Sequence, residues 1–239
     1  MDLKSQTVVI IGGSSGIGLA TAQRLAAAGA RVIATGRDAK KLRNALADFG
    51  EQVVGEVFDG GDRSALDAFF GRIGRLDHLV LALSGGEGGG EFAKLDLQAL
   101  RRGFEAKFWP QIEAAQASLL ALRAGGSITF LTAISARMAN PGTAGLGAIN
   151  GAIESMIGAL ARELKPTRVN AVSPGVVDTP WWDRFPADVK DGIFRQQVET
   201  LPAGRVGRAQ DIAHAVQFVV ENSFMTGAVI ECDGGMRLV

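Results

Sequence analysis

Between a β-branched apolar run, Thr7 to Ile11, and a helical stretch, Leu19 to Ala28, the chain reads Gly12-Gly13-Ser14-Ser15-Gly16-Ile17-Gly18. Glycines at 12, 16 and 18 let the backbone turn sharply and approach a ligand, and the amides that open the next helix can meet an anion there. A glycine pattern alone is weak, but between the first strand and first helix of a βαβ unit it has the setting a dinucleotide pyrophosphate requires. Gly12, Ser14, Ser15, Gly16, Ile17 and Gly18 are therefore the expected cradle. At the end of the second strand, where a carboxylate would bond a ribose 2′-hydroxyl, stands Thr35-Gly36-Arg37, and a guanidinium suits a 2′-phosphate. NADP(H) is accordingly expected over NAD(H), with Asp38 left to cap the helix that follows.

These residues need a frame, and the pattern supplies one. Apolar strand-like runs at 7–11, 31–35, 53–58, 79–83, 127–132, 168–173 and 228–231 alternate with helical stretches at 19–28, 39–49, 63–73, 97–122, 146–164 and 211–221. Strands that read as continuous apolar runs are buried on both faces, so the fold class is α/β, a doubly wound, mostly parallel sheet with helices on both faces. No repeat, low-complexity tail or linker divides the chain, and residues 1–239 are expected to form a single dinucleotide-binding domain. A glycine-rich loop, Glu87 to Glu91, and a mixed aromatic and charged insert from Trp181 to Gln197 each follow a strand, which places them at the carboxyl edge where such folds bind ligands.

Composition narrows the partners. Lysine plus arginine number 25 and aspartate plus glutamate 25, so no net charge draws the protein to nucleic acid or to an anionic membrane. Glycine is abundant at 32 residues, yet 47% of the chain is apolar, too much for a disordered glycine-rich polymer. The lone Cys232 excludes a disulfide framework and a cysteine zinc site and fits a reducing compartment; no metal is expected, and with no signal-like or bilayer-length apolar run the protein is expected in the cytoplasm. His78 and His214 are expected to lie away from the chemistry. Phe104, Phe108 and Ile112, at helical spacing, read as core or as a subunit interface.

The glycine turn, Asp59 after the third strand, Leu76-Asp77-His78-Leu79-Val80, the run Asn170-Ala171-Val172-Ser173-Pro174-Gly175-Val176-Val177-Asp178-Thr179-Pro180, and Asp233-Gly234-Gly235 within the Gly227–Gly235 segment together resemble the short-chain dehydrogenase/reductase family over nearly the whole chain. The resemblance implies a seven-stranded Rossmann-like sheet, a nicotinamide cofactor, a small-molecule substrate and a homodimer or homotetramer. It makes Asp59 an adenine contact and places Pro174, Gly175, Val177 and Thr179 beside the nicotinamide. It also makes the insert near 181–200 a cover over the substrate, with Trp181, Trp182, Phe185 and Phe194 as apolar or stacking surface.

Against that family pattern the chemistry is altered. The family's serine, tyrosine and lysine positions fall on Ala133, Leu146 and Asn150, and its helix asparagine on Lys107; the chain contains no tyrosine to slip into place. The usual Asn-Asn-Ala-Gly after the fourth strand reads Leu81-Ala82-Leu83-Ser84, and Ile11 stands where a threonine usually opens the glycine motif. A general acid is typically worth about 10²–10⁴-fold, whereas positioning a donor against its acceptor contributes about 7–11 kcal/mol. Hydride transfer can therefore outlive the tyrosine when the product needs little help with its proton. The expected activity is an NADP(H)-dependent oxidoreductase reducing an activated acceptor (imine, quinone, enone or carbonyl). Lys107 is the candidate substitute acid, Ser135 and Thr132 are nearby hydroxyls, and Asn150 is a residual ribose contact; Ala133, Leu146, Trp181 and Trp182 form the substrate pocket. Glu87 and Glu91 read as solvated loop carboxylates. Two other classes stay open: an inactive NADPH-binding sensor or scaffold, and a non-redox isomerase or lyase on the same fold.

Overall fold

A computed structural model describes residues 2–239. Seven strands, β1 (Thr7–Ile11), β2 (Arg31–Gly36), β3 (Val53–Val57), β4 (Leu76–Leu81), β5 (Leu122–Leu131), β6 (Arg168–Pro174) and β9 (Val229–Cys232), form one sheet in the order β3-β2-β1-β4-β5-β6-β9. Every pairing in it is parallel, in keeping with the expected doubly wound sheet. A short parallel pair, β7 (Val177–Asp178) with β8 (Gly207–Arg208), stands apart from it.

The helices α1 (Gly16–Ala27), α2 (Ala39–Leu46), α3 (Arg63–Arg72), α4 (Leu97–Ser118), α5 (Ala144–Glu163), α6 (Ala187–Thr200) and α7 (Ala209–Glu221) connect the strands. One apolar cluster joins Val9, Ile11, Leu79 and Phe130 to Phe69, Ala114 and Ile153 of α3, α4 and α5. A second, across the sheet, joins Val8, Ile10, Val80 and Val172 to Leu25 of α1 and Val216 of α7. Alternate residues of each central strand thus face opposite clusters, which is why these strands read as unbroken apolar runs. Helix α5 is long and apolar enough to cross a membrane by length and composition, and here Ile149, Ile153 and Ile157 are buried within the fold.

Three boundaries differ from the sequence expectation. Strand β4 begins at Leu76, because the polar residues in Leu76-Asp77-His78 find partners inside the sheet. The Asp77 carboxylate accepts from the Thr7 amide at 2.8 Å, and the His78 ring lies 2.8 Å from Ser127 Oγ and 2.6 Å from Gln6 Oε1. Strand β5 begins at Leu122, so α4 stops at Ser118. The 181–197 segment is folded: a 3₁₀ turn over Pro180–Arg184 leads into α6.

From β1 the chain winds outward to β3, then crosses back to β4 and winds the other way. The crevice where this reversal occurs lies at the carboxyl ends of β1 and β4, the place where open parallel sheets bind ligands.

Candidate functional site

At that crevice the glycine turn is held by its lack of side chains. Gly12 has φ of 93°, and a Cβ on it would meet the Ala82 carbonyl at 2.9 Å. A Cβ on Gly18 would approach the Gly12 carbonyl oxygen to 2.1 Å, so the turn folds tightly under the start of α1. Helices α2, α3 and α4 are each capped by an aspartate side chain, from Asp38, Asp62 and Asp96. Helix α1 has Ser15 at its N-cap and no side-chain cap among the described residues, so its first amides are not spent on one of those side chains. A tight glycine cradle and an uncapped helix start together fit the diphosphate of a dinucleotide.

One cavity of about 610 Å³ runs from this turn to the far end of the crevice. Gly12, Ser14, Ser15, Gly16, Ile17, Gly18, Arg37, Pro174, Gly175, Val177 and Thr179 all line it, as do Lys107, Ser135, Asn150, Ala133, Leu146, Trp181 and Trp182. The sequence therefore brings the expected cofactor, catalytic and pocket residues to one cavity, Asp59 excepted. Its neighbours Phe58 and Gly60 line the wall, while Asp59 itself accepts the Gly61 amide at 3.0 Å and lies 4.0 Å from Arg37. Asp38 bonds the amides of Lys40 and Lys41, as its capping role requires, leaving Arg37 and Lys41 as cations on the β2 side of the cavity.

Lys107, from the middle of α4, is the buried cation of the site. Its Nζ donates to the Thr132 carbonyl at 3.0 Å. Burial lowers its pKa to about 8, with the Glu154 carboxylate opposing that shift. Asn150, one helical turn after Leu146, donates through Nδ2 to Ser135 Oγ at 3.1 Å and to the Leu146 carbonyl at 2.9 Å. Its Oδ1 is buried without a partner among the described residues, an acceptor left for a hydroxyl or amide of a bound molecule. Ala133 and Leu146 add only carbon to the wall.

Several functional candidates were not singled out in the sequence. Glu154 is the first. Its Oε1 accepts from Thr132 Oγ1 at 2.8 Å and from Ser173 Oγ at 3.0 Å, and its Oε2 accepts from Arg137 Nε at 2.9 Å. Arg137 also reaches Glu231 at 3.0 Å, tying the loop after β5 to β9. Gln111, fully buried one turn after Lys107, donates to the carbonyls of Leu83 and Leu131 and so bridges the ends of β4 and β5. The helical spacing of Lys107 and Gln111, and of Asn150 and Glu154, was the available signal: each pair stands on one helix face.

The insert closes on the cavity through Trp181, whose Nε1 donates to the Gly85 carbonyl at 2.7 Å, 96 residues away in sequence. Trp182 packs between Trp181, Phe185 and Phe194 with ring centroids 4.9, 5.6 and 5.4 Å apart, so Phe185 and Phe194 stand behind the wall and support it. Glu87 also lines the cavity but is not simply solvated: Arg102 Nε donates to it at 2.8 Å. Glu91 is exposed and pairs with Lys94. His214 is exposed on α7, and neither histidine lines the cavity.

A parallel sheet with a glycine turn at a covered crevice defines the class, and comparison with known proteins gives the family. The family model described as enoyl-(acyl carrier protein) reductase matches residues 12–237. The chain is 30% identical to cis-4-hydroxycyclohexanecarboxylate dehydrogenase of Sinomonas cyclohexanicum, over 98% of this chain and 97% of that protein. It is 29% identical to (2S)-[(R)-hydroxy(phenyl)methyl]succinyl-CoA dehydrogenase subunit BbsD of Thauera aromatica, over 100% of this chain and 99% of that one. Among solved structures, a small-chain dehydrogenase in complex with NADPH superposes with a TM-score of 0.84 at 32% identity, covering 99% of this chain and all of that one. The chain belongs to the short-chain dehydrogenase/reductase family of NAD(P)-dependent oxidoreductases.

Proposed function

We propose that this protein is an NADP(H)-dependent reductase of an activated acceptor, an imine, quinone, enone or polarised carbonyl, in which Lys107 supplies the proton that a tyrosine usually gives. The observation that carries the reading is that a buried ammonium shares one cavity with the glycine turn, while Leu146 offers no acid. NADPH bound along the crevice would supply the hydride. Ser14, Ser15 and the amides opening α1 would hold its diphosphate, Arg37 and Lys41 its 2′-phosphate, and the free Oδ1 of Asn150 a ribose hydroxyl. Pro174, Gly175, Val177 and Thr179 would bound the nicotinamide, and Asp59 the adenine.

The protein's own contribution is then positioning and a proton. Lys107 keeps its hydrogen bond to the Thr132 carbonyl and can donate another of its protons as negative charge develops on the acceptor. With a pKa near 8 it remains mostly protonated at neutral pH yet gives up a proton more readily than a solvated lysine. Ser135, held by Asn150, offers a hydroxyl to orient the acceptor, and residues 181–200 cover the substrate and shed water. Exposed apolar side chains on and beside α4, among them Leu97, Trp109 and Leu120, support a homodimer or homotetramer, which light scattering measures directly.

The test is NADPH oxidation against quinones, iminium compounds, conjugated enones and plain ketones, with Lys107→Ala beside the native protein. Turnover of the activated acceptors, reduced about 10²–10⁴-fold by the substitution with NADPH binding retained, is the expected result. Tight NADPH binding with no turnover across the panel would make the protein a sensor instead. Arg37→Ala should weaken NADPH about tenfold or more and leave NADH nearly unchanged, since the lost contact is a charge-assisted one to the 2′-phosphate.

A further inference from the structure

Arg184 stands on the cavity wall with no carboxylate in ion-pair distance among the described residues. Its neighbours fix it all the same. The guanidinium carbon lies 4.5 Å from the centroid of the Trp181 ring, and Nε donates to the Trp181 carbonyl at 2.8 Å. At its Nη1 edge it runs so close to Gly86 that a side chain there would collide with it. The guanidinium thus stacks on an indole with one edge against a bare backbone, while its two terminal nitrogens make no hydrogen bond among the described residues. The side chain is exposed on the cavity wall, so these free N–H groups are open to an anion that enters the cavity.

The surroundings agree. Lys107 is a second cation on the same cavity, and its ammonium spends one hydrogen on the Thr132 carbonyl. The two carboxylates in reach are already committed, Glu87 to Arg102 and Glu154 to Thr132, Ser173 and Arg137. The same cavity is lined by the apolar side chains of Trp181, Trp182, Leu146 and Ile149. Partial burial lowers the pKa of the Arg184 guanidinium while Glu87 opposes the change, and the side chain remains exposed to solvent.

We propose that the substrate carries a permanent carboxylate on an apolar ring or chain, and that Arg184 is its anchor, taking both carboxylate oxygens with its terminal N–H groups while Trp181 and Trp182 enclose the body. This rests on the reductase reading above for the identity of the molecule as substrate. The anchor holds the acceptor's charged end at the cavity mouth, so that the reacting carbon is carried inward to Lys107. Anchoring from a remote group in this way converts binding energy into orientation at the reacting centre.

The test uses a matched pair, 2-naphthoate and 2-naphthamide, which share a ring body and differ in charge. Each is titrated by calorimetry into the native protein with and without saturating NADPH, whose own binding is followed by its fluorescence. Naphthoate should bind about tenfold or more tighter than the amide, the size of a charge-assisted pair. Arg184→Gln should erase that preference with NADPH affinity retained, and Arg184→Lys, which keeps the charge and loses the fork, should restore part of it. Equal binding of acid and amide to the native protein would overturn the proposal. So would an Arg184→Gln variant that loses NADPH affinity and keeps the acid preference, since the arginine would then serve the cofactor's phosphates. If NADPH fails to bind at all, the reductase reading falls, and the acid-to-amide ratio measured without it still decides the anchor.

Discussion

Lys107 and Glu154 form the pair on which the proton chemistry turns, although they do not touch. The Thr132 residue stands between them: its carbonyl accepts from Lys107 and its hydroxyl donates to Glu154. Burial pushes the ammonium down to about 8 and the carboxylate holds it from falling further. If Lys107 is the acid, kcat/KM for reduction stays level below pH 8 and falls about tenfold per pH unit above it, because the active form is the protonated one. Glu154→Gln keeps the shape and removes the charge, so the falling limb should move to lower pH; a purely structural role for Glu154 would cost stability and leave the limb in place. The residues of the glycine turn and the strand ends that line the cavity were legible because each is fixed by local chain geometry. Glu154 and Arg184 were not, because their roles depend on neighbours 15 to 100 positions away: Arg137 and Ser173 for the one, Gly86 for the other.

Elements divide their work between the two edges of the sheet. The carboxyl edge carries the glycine turn, the loop after β5 and the insert, whereas the amino edge of β6 carries a structural cation. Arg168 is buried there and donates to the carbonyls of Val219, Val220 and Met225, satisfying groups that the end of α7 leaves open. Arg168→Met should leave those carbonyls unpaired and cost about 3 kcal/mol or more, seen as a lower urea midpoint at constant m, while NADPH affinity is unchanged because the cradle lies at the opposite edge. The same division explains what the sequence disclosed about elements. Alternating apolar runs gave the strand and helix succession, since central strands are buried on both faces. The start of β4 was missed because Asp77 and His78 read as polar, and only their partners on β1, β5 and the segment before β1 make them compatible with the sheet interior. The 181–200 insert hid a helix because α6 buries none of its residues, and so has no apolar stripe to betray it.

At the scale of the whole molecule, that same His78 links folding to pH. Gln6 Oε1 can only accept, so the ring nitrogen beside it carries the hydrogen and the other accepts from the Ser127 hydroxyl; the imidazole is neutral and fully partnered in the middle of the sheet. Burial lowers its pKa from 6.5 to about 4, with Arg168 adding to the shift and Asp77 opposing it. The unfolded chain therefore binds a proton between pH 6.5 and 4 that the folded chain refuses, and stability must fall as the pH drops through that window. A shift of this size corresponds to about 3 kcal/mol in total, most of it already lost at pH 4.5. Carboxylates also weaken the fold in acid, so the histidine's share is isolated by difference: His78→Gln keeps a polar side chain between β1 and β5 but does not titrate. Urea midpoints measured for both proteins at pH 7.5 and pH 4.5 should show the native protein losing about 2–3 kcal/mol more than the variant over that interval. Equal losses would mean that the ring is protonated in the folded sheet, and that Ser127 turns to accept from it.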